Sequence, residues 1–178
     1  MSTFTDLPKI SIVTPSYCQA NFLEKTIISV ISQEYPKLEY FIMDGLSKDG
    51  SREIIKKYER SIKFWESVPD RGQAHAINKG WSRSTGDILG YLNSDDMFVA
   101  GAFKEVSTYF LENPNVKIVF GDCEIKDKFD NTICVKKPLG YNRYHMLLGR
   151  SLPQPSVFIS REIFLNLGGL DENLHYAL

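Results

Sequence analysis

The chain is poor in the residues that build disulfide and zinc frameworks. Three cysteines, Cys18, Cys123 and Cys134, and three histidines, His75, His145 and His175, are spread over 178 residues. An odd set of thiols without metal-type spacing excludes a disulfide scaffold and fits a reduced cytosolic chain with ordinary buried thiols. The scattered histidines offer no zinc spacing. Long apolar runs are missing too: none approaches the ~20 residues of a membrane span. The N-terminus lacks the basic and apolar regions of a secretory signal. Neither sign of charge is in excess, since 21 Lys and Arg face 22 Asp and Glu for a net charge of −1. That balance argues against nucleic acid or an anionic membrane as electrostatic partner. Repeats, low-complexity tracts and linkers are absent, and 43% of residues are hydrophobic, so one domain with a real core is expected.

What is present is organised around Ile88-Leu89-Gly90-Tyr91-Leu92, a short apolar strand that stops at Asn93-Ser94-Asp95-Asp96. In an open α/β sheet, ligands bind just beyond the carboxyl ends of the strands. Two adjacent carboxylates there form a hard oxygen site suited to Mg²⁺ or Mn²⁺ with a phosphorylated ligand. Alternatively, the four residues are a polar turn that caps the next helix.

Upstream, Ile10 to Thr14 is β-branched and apolar and is broken by Pro15, which reads as a central parallel strand. Asn21 with Glu24 resembles a capping box. Leu23, Ile27, Val30 and Ile31 then recur at helical spacing to about Gln33. Leu38 to Met43 is a second strand ending at Asp44, and a helix is expected from Ser51 to about Arg60. Ile62 to Ser67 is a weaker strand. A helix through Gln73–Trp81 has Ala74, Ile77 and Trp81 on one face. Strands alternating with helices imply a parallel sheet with crossover helices. Its strand ends deliver Thr14, Asp44, Asp70 and Asp95-Asp96 to one edge. Further on, a helix with Phe103, Val106 and Phe110 on one face ends at Asn113-Pro114, and Val116 to Phe120 reads as a buried strand. A hairpin flanks Asp130-Asn131, and Ser156 to Ile159 is a late strand before a short helix from Arg161.

Several ordered segments carry a resemblance: Thr14-Pro15-Ser16-Tyr17, Asp44 through Ser51, Asp70-Arg71-Gly72-Gln73, Ala76 through Gly80, Thr85-Gly86-Asp87 leading to Asn93-Ser94-Asp95-Asp96, then Gln154-Pro155-Ser156 and Gly168 through Glu172. Together they resemble glycosyltransferase family 2, nucleotide-sugar-dependent enzymes of the GT-A fold. The resemblance implies an α/β domain with a mostly parallel central sheet flanked by helices. Residues 1–98 would form the nucleotide-binding half and 99–178 the acceptor-side half. It implies that Thr14, Pro15, Ser16 and Tyr17 line the base pocket and that Asp44 accepts a hydrogen bond from the base. Asp70, Arg71 and Gln73 would lie near ribose and phosphates, with Asn78 and Lys79 facing the same pocket. Ser94-Asp95-Asp96 stands at the family's Asp-x-Asp position, where Asp95 contacts ribose or metal and Asp96 holds Mn²⁺ or Mg²⁺ on the diphosphate. Gln154 and Pro155 would lie toward the acceptor, with Tyr144 or His145 beside them, although His145 reads in preference as an ordinary surface or core histidine.

The implied reaction is metal-dependent, inverting transfer from a nucleotide-diphosphate donor, UDP-sugar in the first instance, to a saccharide or lipid-linked acceptor. Bacterial surface polysaccharide or glycolipid assembly at the inner membrane face is the implied setting, with peripheral membrane association. A sugar-1-phosphate nucleotidyltransferase would carry a Gly-rich, Arg-containing loop where Thr14 to Gln19 stands. A non-catalytic nucleotide-sugar-binding fragment is the other alternative. In the family an acidic general-base motif follows a segment like Leu170 to Leu178, so the base is expected just beyond Leu178 and transfer by this chain is expected to be slow. Asp171 and Glu172 match the turn before that motif and are expected to cap the local structure. They and His175 become candidates for the base only if transfer by this chain proves as fast as by an extended one. Leu174, Tyr176 and Leu178 would favour self-association.

Overall fold

The computed structural model describes residues 7–127, 129–138, 140, 144, 147 and 152–174. The elements run β1 (Ile10–Ser16), α1 (Ala20–Ile31), β2 (Leu38–Asp44), α2 (Ser51–Lys57), β3 (Phe64–Ser67), α3 (Gln73–Arg83), β4 (Ile88–Tyr91) and α4 (Ala102–Glu112). They continue with β5 (Ile118–Val119), β6 (Cys123–Lys126), β7 (Thr132–Lys136), β8 (Phe158–Ser160) and α5 (Arg161–Leu167). The main sheet has the order β3-β2-β1-β4-β8-β5. β1 to β4 are mutually parallel, and β8 runs antiparallel to both β4 and β5. β6 and β7 form a separate antiparallel hairpin.

The period-two alternation of β1 divides the core between the two faces of the sheet. Ile10 and Ile12 pack with Leu23, Ile27 and Val30 of α1, Ile55 of α2, Phe103 of α4 and Phe158. Val13 points the other way, into a cluster with Phe41, Met43, Leu89 and Tyr91 and with Ala76, Ile77 and Trp81 of α3. Each fully buried Ile or Leu contributes about 1.5–3 kcal/mol of transfer free energy.

Gly80 permits α3 to lie close to the sheet. A Cβ there would sit 2.6 Å from both Val13 methyls, inside any real contact distance. Gly80→Ala is therefore expected to lower stability by about 1–3 kcal/mol through overpacking, although alanine is the better helix former. A urea titration followed by circular dichroism checks this; unchanged stability would mean that α3 shifts freely on the sheet.

Several local expectations are corrected. Asn21 and Glu24 form no capping box. The Ala20 amide donates to Asp49 Oδ2 at 2.8 Å, across from the following loop. Glu24 is instead taken by Lys57 at 2.5 Å and the Tyr58 hydroxyl at 2.7 Å. The helix expected to reach Arg60 stops at Lys57, and a 3-10 turn covers Glu59–Ser61. The Val116–Phe120 strand shrinks to Ile118–Val119 on the sheet edge, where Ile118 is 46% exposed. Ser156 belongs to a 3-10 turn before β8. The thiols are not buried: Cys18 and Cys134 are exposed and Cys123 is half-buried. Cys18 lies in the loop after β1, and Cys134 lies on β7, whose residues are all exposed. Among the described residues, no helix is long and apolar enough to cross a membrane.

Candidate functional site

The parallel run of β1, β2 and β4 brings their carboxyl ends to one edge. Of Thr14, Pro15, Ser16 and Tyr17, only Tyr17 is exposed. The Thr14 hydroxyl is fully buried and hydrogen-bonded to the Tyr40 hydroxyl at 3.0 Å, so its side chain braces the sheet and does not reach the edge. Pro15 is buried in register with Met43. Ser16 Oγ is buried with no hydrogen-bond partner among the described residues. A Cβ at Gly45 would lie 2.9 Å from Asp70 Oδ2 and 3.2 Å from the Tyr17 ring. The glycine thus lets an exposed aromatic ring and a carboxylate flank one stretch of bare backbone.

Asp44 is 2% exposed. It accepts the Ser47 amide at 2.9 Å and the hydroxyls of Ser47 and Ser67 at 2.5 Å each. The Ser47 hydroxyl in turn accepts the Cys18 amide at 2.8 Å. Three of about four carboxylate lone-pair sites are therefore taken. Asp44 fixes the loops after β1 and β2 around the Tyr17–Gly45 ledge.

Asp95 is exposed and Asp96 half-buried. Burial, then the neighbouring Asp95 charge, pushes the Asp96 carboxyl up to about 6, against a smaller opposing hydrogen bond from Asn93. No ammonium or guanidinium among the described residues pairs with either acid. Nor do these residues cap a helix: α4 begins only at Ala102, behind Gly101. Cys123 on β6 is close enough that, after burial, the Asp96 charge raises its thiol as well. Two carboxylates that no described cation compensates suit a hard cation. The described residues hold no group of three ligating side chains, so such a cation would need the ligand's own oxygens.

Amides bridge the rest of the edge. The Gln73 side-chain amide donates to Asn93 Oδ1. Asn93 Nδ2 donates to Gln154 Oε1 at 3.0 Å, and Gln154 Nε2 to the Tyr91 carbonyl at 3.2 Å. Gln73, the acid loop and Gln154-Pro155 are thus brought together. Asn93 is the connector: the sequence places it in the motif beside the acids but assigns it no role of its own.

Asn78 and Lys79 are turned elsewhere. Asn78 clasps the Leu170 backbone, donating to its carbonyl and accepting its amide at 2.9 Å each, and donates to Glu172 Oε1 at 3.2 Å. Lys79 Nζ pairs with Glu66 Oε1 at 2.5 Å, toward edge strand β3. Arg71 is ion-paired with Glu172 and its side chain is 72% exposed. First the Arg71 hydrogen bond and then Asn78 hold the Glu172 carboxyl below its usual range. Asp70 Oδ1 caps the Gly72 amide at 2.8 Å. Tyr144 is 74% exposed, and His145 and His175 lie outside the described residues.

A six-stranded, mostly parallel sheet flanked by helices and extended by antiparallel late strands is of the GT-A class of folds. The profile of "Glycosyl transferase family 2" matches residues 11–167, and the chain belongs to that family. It is 28% identical over 175 residues to an uncharacterized glycosyltransferase of Mycobacterium tuberculosis, covering 94% of this chain and 64% of that protein. The mannosyltransferase PcManGT of Pyrobaculum calidifontis, solved with GDP-Man and Mn²⁺, superposes with a TM-score of 0.72 at 20% identity, over 98% of this chain and 50% of that one. Staphylococcus aureus TarS, solved with UDP-GlcNAc, gives 0.72 at 14% identity, over 90% and 47%. The chain thus spans under two thirds of that relative and about half of those structures.

Proposed function

We propose that this edge binds a nucleotide-diphospho-sugar, UDP-sugar first among the candidates, for transfer to a saccharide or lipid-linked acceptor. The carrying observation is the Asp95–Asp96 pair, uncompensated by any described cation and with Asp96 raised by burial and by its neighbour. The Tyr17 ring offers a stacking face for the base, and Asp70 offers polar contacts beside it. Asp95 and Asp96 would hold Mn²⁺ or Mg²⁺, which supplies charge neutralisation to the departing diphosphate. Asn93 and Gln154 orient the acid loop relative to the acceptor side. Arg71 can turn to the phosphates only by leaving Glu172. The neighbours were solved with GDP-Man and with UDP-GlcNAc, so the fold is compatible with both kinds of base and base choice is read by experiment.

Calorimetry with UDP and GDP, each with and without Mn²⁺, tests the proposal; metal-independent or absent binding of both would sink it. Asp44→Asn is expected to weaken uridine and UDP alike, by about tenfold, because it loosens the ledge that both share. Loss of UDP binding with uridine binding intact would place Asp44 at the diphosphate instead.

A further inference from the structure

α1 carries a polar stripe on a helix whose other inward residues are apolar. Thr26 is fully buried beside Leu23, Ile27 and Val30. Its hydroxyl donates to the Ser94 carbonyl at 2.9 Å and the Asp96 carbonyl at 2.8 Å. A hydroxyl has one hydrogen, so the two carbonyls share it. Ser29 Oγ accepts the Phe98 amide at 3.2 Å and donates to the Thr26 carbonyl at 2.8 Å. Gln33 Nε2 donates to the Val99 carbonyl at 2.9 Å and the Ser29 carbonyl at 3.0 Å. Thr26 and Ser29, three residues apart, share one face of α1, and Gln33 stands in the turn just past the helix end at Ile31.

The segment facing them needs such partners. After β4 the chain forms neither helix nor strand until α4, so its backbone groups lack a ladder. Within it, the Leu92 amide reaches Val13 and the Asp96 amide reaches Asn93, at 2.9 and 3.1 Å. The carbonyls on either side of Asp95 are left to Thr26. With both turned inward onto one atom, the intervening peptides cannot rotate without breaking a bond. Two like-charged carboxylates would otherwise drift apart.

We infer that Thr26, supported by Ser29 and Gln33, is a positioning residue that holds Asp95 and Asp96 in register for a cation bound with a diphosphate. This rests on the donor-site reading above. The test is calorimetry on the full chain with uridine and with UDP plus Mn²⁺. Thr26→Val keeps the shape and removes the hydroxyl; it is expected to raise the Kd for Mn²⁺-UDP by about tenfold and to leave uridine unchanged. Thr26→Ser should restore most of the loss. If thermal melting shows that Thr26→Val does not fold, Gln33→Leu carries the test, with an expected weakening of about threefold for Mn²⁺-UDP alone. Equal losses of uridine and Mn²⁺-UDP, or no loss of either, would overturn the inference. Asp96→Asn in the same titration separates the two levels. If it abolishes the Mn²⁺ effect while Thr26→Val changes nothing, only the positioning role falls. If it too changes nothing, the donor-site reading falls and the positioning role with it.

Discussion

Asp96→Asn is expected to stabilise the metal-free chain while abolishing its response to Mn²⁺. The Asp96 carboxyl is pushed from an ordinary 3.8 up to about 6, by burial first and by the Asp95 charge second. A raised folded pKa means that the folded state binds the proton more tightly than the unfolded one. The stabilising contribution of that proton is complete below the unfolded value and is lost as pH rises through about 6. Above pH ~7 an ionised Asp96 opposes folding, and an isosteric amide does not. A tenfold difference in proton affinity between the folded and unfolded chain corresponds to ~1.4 kcal/mol. Discounted for the solvent that reaches this half-buried group, the gain is about 1–2 kcal/mol, or roughly 3–6 °C in Tm for a chain of this size. The gain should shrink toward zero near pH ~4, where both side chains are neutral in the fold. Adding Mn²⁺ to UDP should raise the Tm of the native chain further by mass action and add nothing to that of Asp96→Asn. Differential scanning fluorimetry across pH, with and without Mn²⁺ and UDP, reads both effects. A variant less stable than the native chain at neutral pH would show that the Asp96 carboxylate is compensated. Stability given up at a binding site in this way is the usual trade between folding and function.

The sheet and its acid-bearing edge were legible because they depend on short-range rules. Buried parallel strands read as apolar runs, and a polar group directly after such a run lies at a strand end. That places Asp44 and Asp95-Asp96 without knowledge of any contact. Which way a side chain points at that edge is also partly legible. Ile10, Ile12 and Thr14 share one face by strand parity, so the burial of Thr14 against Tyr40 continues the inward row. Tyr17 escapes that fate because it stands past the end of β1, where alternation no longer applies.

Helical residues were harder to place, because their targets lie far along the chain. Asn78 sits on the α3 turn that faces Leu170, 92 residues away. Lys79, one step on, is rotated about 100° around the helix toward Glu66. Neither partner is visible from local spacing. The capping box failed for a related reason: Asp49 reaches the Ala20 amide from another loop, leaving Glu24 to Lys57 and Tyr58. Thr26 was the readable omission, a hydroxyl on the apolar stripe of α1. Such a residue must find a partner when buried, and the polar chain after β4 is where it finds one.

Trp81→Ala should be the most damaging single substitution in the domain. Trp81 is 3% exposed and joins three elements. Its ring meets Tyr91 at 6.0 Å and Phe164 at 5.7 Å, edge-on in both cases, so α3 is tied at once to β4 and to α5. Its Nε1–H donates to the Gly90 carbonyl at 3.1 Å, directly before the acid loop. Truncation to alanine removes the largest member of this face's cluster and the hydrogen bond that the indole gives to that carbonyl. Large aromatic-to-alanine changes in cores cost about 3–5 kcal/mol, a large share of the roughly 5–15 kcal/mol typical of a whole domain. A cooperative urea transition should shift far toward zero denaturant or disappear, as read by far-UV circular dichroism. Trp81→Phe keeps most of the packing and loses the donor, so it should cost about 1–3 kcal/mol. The damage should also be directional. Phe164 and Leu170 pack on this cluster, and Leu170 is the residue whose backbone Asn78 clasps. Loss of the indole therefore loosens the Gly169–Glu172 turn and frees Arg71 from Glu172. In Trp81→Phe, hydrogen exchange at the Leu170 amide should accelerate more than exchange at amides of β1 and β2. Uniform acceleration across the sheet would show that Trp81 supports the whole fold evenly and does not specifically anchor the C-terminal turn.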